Sequence, residues 1–428
     1  MKIHWLSPLL PAKTGVAHYS EHLLPRLAER AEVVVFTPHE NLPLALESRV
    51  KVRPIGTEDR RFWRELHQAD LTVCHLSRAA PFHGAIVEIA RRHPSLVVLH
   101  KSRLFGLVTE AVVGIRGQVD RFLDLCEDEA GRPGRRVGQR WLRGENPLAL
   151  EQDLPFTALG IEDALGVVVH SPHARRDVER VAPPGLPLLE LPLPWPADDL
   201  PAVAASPRPV HQPKRLIAFG HFGPERRLDL LLEAVARWPR RQGLRLDVFG
   251  ELREPERIVG LRDRLGLQPQ VTFRGFVLEE ELAAAQRQAD LGVDLRASSL
   301  GGASLVRLEM WRRGLAVAGT PAEDGSDAGA LLPIRDGHER EDFAAAFEAL
   351  ADRRRLADLA ARGRRIVAER HDPDAYAGAF LRFASAAAGQ TRRCLEQRWQ
   401  RRNHRLFPNG GKLAAAAAKV PAEILPGV

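Results

Sequence analysis

The sequence predicts two doubly wound α/β domains facing a central cleft. Three observations carry this. Short apolar runs alternate with amphipathic helical stretches along the whole chain; a proline-crowded segment interrupts the alternation near the middle; and the same alternation then restarts. Strands that are apolar throughout, rather than at every second residue, belong to parallel sheets covered by helices on both faces. A length of 428 residues also exceeds what one ordinary core organises.

In the first half, Lys2–Leu6 reads as a strand, followed by a loop with Pro8, Pro11 and Gly15 and a helix from about Ala17 to Arg30. Leu23, Leu24 and Leu27 mark its buried face. Further strands are expected at Val33–Phe36, Leu71–His75, Val97–His100 and Gly166–His170. Ten prolines fall between Pro183 and Pro213. Proline fixes φ and removes a donor, so this stretch reads as a semi-rigid linker.

Beyond it, strands at Leu216–Phe219, Leu244–Phe249, Val271–Phe273, Leu291–Leu295 and Leu315–Ala318 alternate with helices at Asp229–Arg237, Glu254–Leu265, Glu279–Gln288 and Ser304–Arg313. The expected domains are residues 1–195 and 210–375, with a C-terminal helix and a frayed, Ala- and Pro-rich tail over 376–428. Sheets of this kind bind ligands at the carboxyl ends of their strands.

Composition narrows the function classes. A hydrophobic fraction of 44% and a charged fraction of 27% suit a globular protein, and no apolar run is long enough to span a bilayer. The amino end lacks the apolar core and cleavage site of a signal peptide. Cys74, Cys126 and Cys394 form neither a disulfide framework nor a cysteine zinc site. A cytoplasmic location follows, with peripheral contact at the inner membrane face allowed by the net charge of +7. The sixteen histidines show no metal-ligand spacing, so neither a metal nor another cofactor is expected. Two tyrosines in the whole chain make a nucleic-acid surface unsupported.

The richest chemistry lies in Leu295–Ser304, read LRASSLGGAS, and the helix after it. Ser304 is the expected N-cap. Gly301 and Gly302 permit close backbone approach, and the unpaired amides beginning at Leu305 suit a phosphate. Glu309, five residues after Ser304, can accept from ribose hydroxyls; the plainer reading is a capped helix with a solvated Glu. A second constellation, FGHFGPERRLD, ends a strand at Gly220 and delivers Arg226 and Arg227 before a helix. Arginine suits diphosphate, although Arg227 reads better as a solvated side chain.

Gly15, beside Thr14 and Val16, lets backbone amides approach a donor from the first domain. His100 and His170 end strands there, and His75 and His83 flank Arg78. His100 is a candidate for contact with the transferred sugar or for proton movement, with a structural role equally open. The run RPGRRVGQRWLR over 132–143 suits an anionic membrane or an acidic acceptor, or else a solvated insertion.

These segments together resemble the family 4 glycosyltransferases, up to about Arg382. SPLLPAKTGVAHYSEHLLPRL is similar to that family's first strand, glycine loop and helix. HLSRAAPFHGAIVEIARRHPSLVVLHKSRLFG and VVVHSPHARRDV resemble later parts of its first domain. FGHFGPERRLDLLLEAVA, LRLDVFG, VTFRGFV, EEELAAAQRQADLGVDLR and LEMWRRGLAVAG follow its donor domain in order.

The resemblance implies the GT-B fold, two Rossmann-like domains, and a retaining, metal-independent hexosyl transfer. The donor would be a UDP- or GDP-sugar and the acceptor a glycan or a lipid-linked glycan. It implies that Arg226 binds phosphate, that Glu309 is the second Glu of a paired-Glu motif, that Phe276 and Val277 lie near the base, and that Ser304 and Leu305 meet the phosphates. With His100, Arg226 and Glu309 are the expected catalytic set.

Two departures stand out. The first Glu of the pair falls at Gly301 or Gly302, in GGAS where relatives read GETS, and the family's His-Asp is His100-Lys101. Loss of a carboxylate removes an acceptor from the sugar pocket. The alternative reading is therefore a catalytically degenerate protein serving as a binding or scaffolding subunit of a glycosyltransferase complex.

Overall fold

The computed structural model describes residues 1–38, 50–197, 213–297 and 304–406, with side chains described as far as 390. The chain divides into two compact units. One comprises Met1–Pro194 with Pro373–Val428, the other Trp195–Asp372.

The first unit holds a seven-stranded parallel sheet in the order β3-β2-β1-β4-β5-β6-β7. Its strands are β1 (Lys2–Leu6), β2 (Glu32–Thr37), β3 (Lys51–Pro54), β4 (Leu71–Leu76), β5 (Ser95–Leu99), β6 (Ala164–Val169) and β7 (Leu188–Glu190). The central strands are buried along nearly their whole length, as their continuous apolar runs require. β1 is flanked by β2 and β4, so the chain reverses its direction of travel across the sheet between them.

After β1 comes the helix Gly15–Ala28, capped by Thr14, whose Oγ1 accepts from the Val16 amide at 3.4 Å. Val16, Tyr19, Leu23, Leu24 and Leu27 form its buried face. The long helix Pro373–Leu406 returns to this unit and packs on the helix Gly15–Ala28 and on β4, β5 and β6. Gly166 in β6 makes room for it, since a Cβ there would sit 3.1 Å from the Phe383 ring. The hydroxyls of Tyr19 and Tyr376 share a hydrogen bond of 2.7 Å inside that contact.

The second unit holds six parallel strands in the order β10-β9-β8-β11-β12-β13. These are β8 (Lys214–Phe219), β9 (Leu244–Phe249), β10 (Val271–Gly275), β11 (Leu291–Asp294), β12 (Val317–Gly319) and β13 (Leu331–Pro333). Each sheet thus has a switch point, at β1/β4 in the first unit and at β8/β11 in the second. Helices Leu228–Arg237, Pro255–Arg264, Glu279–Gln288 and Leu305–Arg312 connect the strands of the second sheet. Both sheets are parallel throughout, as the sequence predicts. The short edge strands β3, β7 and β13 escaped the pattern reading, because three or four residues carry too little periodicity.

Candidate functional site

The switch point of the second unit gathers the residues that carry charge. β8 ends at Phe219, and the loop after it turns through Gly220 into the short helical turn Pro224–Arg226. β11 ends at Asp294, whose carboxylate is wholly buried. Arg226 Nη1 donates to Asp294 Oδ1 at 2.7 Å, and Arg307 Nε donates to Oδ2 at 3.2 Å. The Ala297 amide donates to the Glu225 carbonyl at 2.9 Å, so backbone and side chains both lace the two loops together.

Gly220 is required here. Its φ is +129°, and a Cβ would meet Arg226 Nη2 at 3.1 Å and Val306 Cγ2 at 3.6 Å. The Arg226 guanidinium therefore lies across the glycine backbone, close to the start of the helix Leu305–Arg312.

Arg307 extends the network. It pairs with Asp327, and its Nη2 donates to the Thr320 carbonyl at 2.6 Å. Thr320 Oγ1 in turn accepts from the Arg296 amide and donates to the Arg296 carbonyl, each at 3.0 Å. Burial alone would raise the Asp294 carboxyl pKa, but Arg307, Arg226 and Arg296 outweigh it and hold it below its ordinary value. Arg296 is pulled down to about 10: burial acts most strongly, Asp294 opposes it, and the neighbouring Arg226 and Arg307 add to the fall. Arg226, Arg296 and Arg307 meet the carboxylates of Asp294 and Asp327, with Glu225 also acting on Arg296, so guanidinium groups and carboxylates interleave at this strand end.

Ser304 is the N-cap, as the sequence predicts, with Oγ accepting from the Arg307 amide at 3.3 Å. Arg307 belongs to this helix, and through it Asp294 reaches the helix as well as Arg226. The amides of Leu305 and Val306 lie in the first turn, outside the helix's own hydrogen-bond ladder. Arg226 and this helix start are thus bridged by one carboxylate. Gly301 and Gly302 lie outside the described residues.

Glu309 is not a solvated side chain. Its carboxylate is 12% exposed, with Oε1 accepting from Arg313 Nε at 3.0 Å and Oε2 accepting from Trp195 Nε1 at 3.1 Å. Arg227 adopts a left-handed φ of +46° and pairs with Asp336 and Glu339, away from Arg226. Beyond the turn at Gly275, with φ of +66°, Phe276 is exposed and Val277 half-buried.

In the first unit, Gly15 opens its helix beside the switch point. His100 follows β5 rather than ending it, and its Nε2 shares a 3.1 Å hydrogen bond with His75 Nδ1. The edge of Tyr19 meets the His100 ring at 4.6 Å, and the His170 ring lies 5.1 Å away. Burial first, and the neighbouring histidines second, push the His75 and His100 pKa values well below the ordinary histidine value. Neutral rings accept or donate hydrogen bonds but do not act as imidazolium acids.

His83 shares a hydrogen bond with the His75 carbonyl at 2.9 Å, and His170 with that of Leu191 at 3.0 Å. Arg78 lies 3.3 Å from the buried Glu151. These side chains serve the unit's interior. In the basic run, Trp141 packs on Phe105 and Phe122, while Arg135 pairs with Asp124 and Arg140 with Glu145. Arg132, Arg136 and Arg143 are exposed. Among the described residues, no helix is long and apolar enough to cross a membrane, and no group of three or more His, Cys, Asp or Glu side chains is placed to hold a metal ion.

Sequence reasoning missed Asp294, Arg296, Arg307 and Asp327. A lone Asp closing the apolar run LGVD was a usable signal, because a carboxylate at a strand's carboxyl end needs a partner. Arg307 gave none, since nothing in SLVRLEM marks it as buried.

Residues 213–353 match the model of the glycosyl transferases group 1 family. The D-inositol 3-phosphate glycosyltransferase of Mycolicibacterium smegmatis is 34% identical over 154 residues, which cover 33% of this chain and 33% of that protein. The chain thus matches about a third of the length of that curated relative.

Among solved structures, Anabaena Alr3699/HepE in complex with UDP and glucose superposes with a TM-score of 0.60 at 14% identity, over 90% of this chain and 100% of that one. Sucrose-phosphate synthase of Thermosynechococcus elongatus gives 0.59 at 20% identity, over the same shares. WaaG, a glycosyltransferase involved in lipopolysaccharide biosynthesis, gives 0.55 at 16%, over 88% and 98%. The second unit therefore carries the sequence pattern of the group 1 glycosyl transferases over residues 213–353, and the two Rossmann-like units share the fold of solved GT-B glycosyltransferase structures.

Proposed function

We propose that this protein is a retaining hexosyltransferase that moves a sugar from a UDP- or GDP-linked donor to a glycan or lipid-linked acceptor. The observation that supports it most is the bridge of Asp294 between Arg226 and the Ser304 helix start. It sets a guanidinium beside the first amides of a helix.

In this reading the diphosphate rests on the Leu305 and Val306 amides and on Arg226, and Glu309 takes the ribose. The exposed Phe276, with Val277, meets the base. Gly15 and His100 belong to the sugar and acceptor side, and exposed Arg132, Arg136 and Arg143 offer contact to an anionic membrane. The bond from the anomeric carbon to the diphosphate breaks with its electron pair staying on the phosphate oxygen. The acceptor hydroxyl oxygen bonds to that carbon on the same face, and its proton passes to the departing diphosphate. Charge that builds on the leaving group is met by fixed donors already in place, and that role is assigned to Arg226 and the amides rather than to a metal ion.

The test is to incubate the purified protein with UDP-, GDP- and ADP-sugars, with and without EDTA, and to follow transfer and donor hydrolysis. Turnover of a UDP- or GDP-sugar that persists in EDTA is expected. Saturable binding with neither transfer nor hydrolysis would overturn the enzyme reading in favour of a binding subunit.

A further inference from the structure

Two of the groups that hold the Glu309 carboxylate come from the next turn of its own helix. Arg313 Nε donates at 3.0 Å, and Arg312 Nε lies 2.6 Å from Oε2. The third, the indole N–H of Trp195, comes from 114 residues away. Trp195 is 5% exposed, and its backbone N–H donates to the His371 carbonyl at 2.7 Å. Trp195 and His371 lie where the chain enters and leaves the second unit. The indole is therefore pinned at both backbone and ring, and it holds the carboxylate from outside the helix that carries Glu309.

An indole N–H only donates, and so does a guanidinium. A carboxylate oriented by donors alone keeps its remaining lone pairs for further donors. Oε2 already takes Trp195 and Arg312 and Oε1 takes Arg313, so the open acceptor site lies on Oε1, and a hydroxyl of a ribose diol donating there loses its partner if the carboxylate turns.

We infer that Trp195 is a positioning residue that fixes the Glu309 carboxylate for the ribose diol of the donor nucleotide, so that the unit selects ribonucleotides over 2′-deoxyribonucleotides. This rests on the nucleotide-sugar reading above. The indole works through Glu309 and touches no substrate itself.

The experiment measures the affinity of the full chain for UDP and GDP, for their 2′-deoxy analogues and for inorganic pyrophosphate, in wild type, Trp195→Phe, Glu309→Gln and the double variant. Trp195→Phe keeps an aromatic ring and removes the donor. Because a hydrogen bond to a charged group is lost, ribonucleotide affinity is expected to fall about five- to ten-fold. Pyrophosphate binding stays unchanged, the preference for ribo- over deoxyribonucleotide shrinks, and the double variant binds no worse than Glu309→Gln alone.

Equal losses for ribo- and deoxyribonucleotide, a matching loss for pyrophosphate, or additive losses in the double variant would each overturn the inference and leave Trp195 a packing residue. A wild type that binds pyrophosphate but neither UDP nor GDP would overturn the nucleotide reading itself. A Trp195→Phe protein that does not fold is replaced by Trp195→Leu, which also lacks the donor, judged by the same ribo-to-deoxy ratio.

Discussion

Arg226 donates to Asp294 across 2.7 Å, although 68 residues separate them in the chain and the carboxylate is wholly buried. The pair joins the ends of β8 and β11, the two strands at the switch point of the second sheet. The carboxylate orders the arginine, and Arg307 holds its other oxygen.

Asp294→Asn removes the carboxylate charge that Arg226 and Arg307 share. Breaking a buried ion pair from one side costs about 3–5 kcal/mol. The expected result is a matching loss in urea denaturation of the full chain. The Asp294 pKa is held below its ordinary value of 3.8, so the stability it contributes is complete above that pH and is lost as pH falls through the depressed value. The variant accordingly loses that part of the acid dependence. An Asn variant as stable as wild type would show that the pair orders nothing.

Arg226→Ala and Arg227→Ala separate the two adjacent arginines. Arg227 is taken by Asp336 and Glu339, whereas Arg226 shares Asp294 with Arg307 of the helix that Ser304 caps. Loss of a charge-assisted phosphate contact from Arg226 should weaken UDP or GDP binding about ten-fold or more. Removal of Arg227 should change it by less than about two-fold, because surface pairs of this kind contribute little beyond stability. Calorimetric titration decides. Equal effects would mean that the phosphate site is wrongly placed.

Two glycines test the backbone argument in opposite directions. Gly220→Ala forces a side chain onto a φ of +129° and against Arg226, so it should cost about 1–3 kcal/mol and weaken nucleotide binding as well. Gly84 lies within the helix Ala80–Ala90 with nothing near its missing Cβ. Gly84→Ala should stabilise by about 0.5–1 kcal/mol. Thermal denaturation of both variants is the measurement, and a stabilised Gly220→Ala would contradict the conformation described.

Histidine burial sets an acid limit on the first unit. His4 is lowered to about 4, chiefly by burial and then by Lys2, and His75 and His100 are lowered by burial first and then by neighbouring histidines, His170 foremost. The unfolded chain binds these protons near 6.5 while the folded chain refuses them, so stability rises with pH across that window. Urea midpoints should therefore fall between about pH 6.5 and pH 4, and His4→Leu should flatten the slope. An unaltered slope in that variant would remove His4 from the account.

The order of strands and helices was legible because continuous apolar runs and 3.6-residue stripes are local properties. Ser304 was legible as a cap for the same reason: its Oγ reaches only the next turn of backbone. Arg226 stood out by residue type, but nothing near it in the chain pointed to Asp294. Nor did the prolines around Trp195 suggest that its indole would meet Glu309. His100 read as a strand-end candidate, while its partner His75 belongs to the neighbouring strand β4.

By itself, then, the sequence determined two parallel α/β sheets and the Ser304 cap of a helix, while its linker reading ran over a segment that holds strand β7. Tertiary structure alone decided which carboxylate holds Arg226, which donors orient Glu309, and that the helix beginning at Pro373 packs back on the first sheet. The physical reason is range. Backbone periodicity and capping act over a few residues, whereas ion pairs and buried hydrogen bonds depend on which strand ends the sheet topology brings side by side.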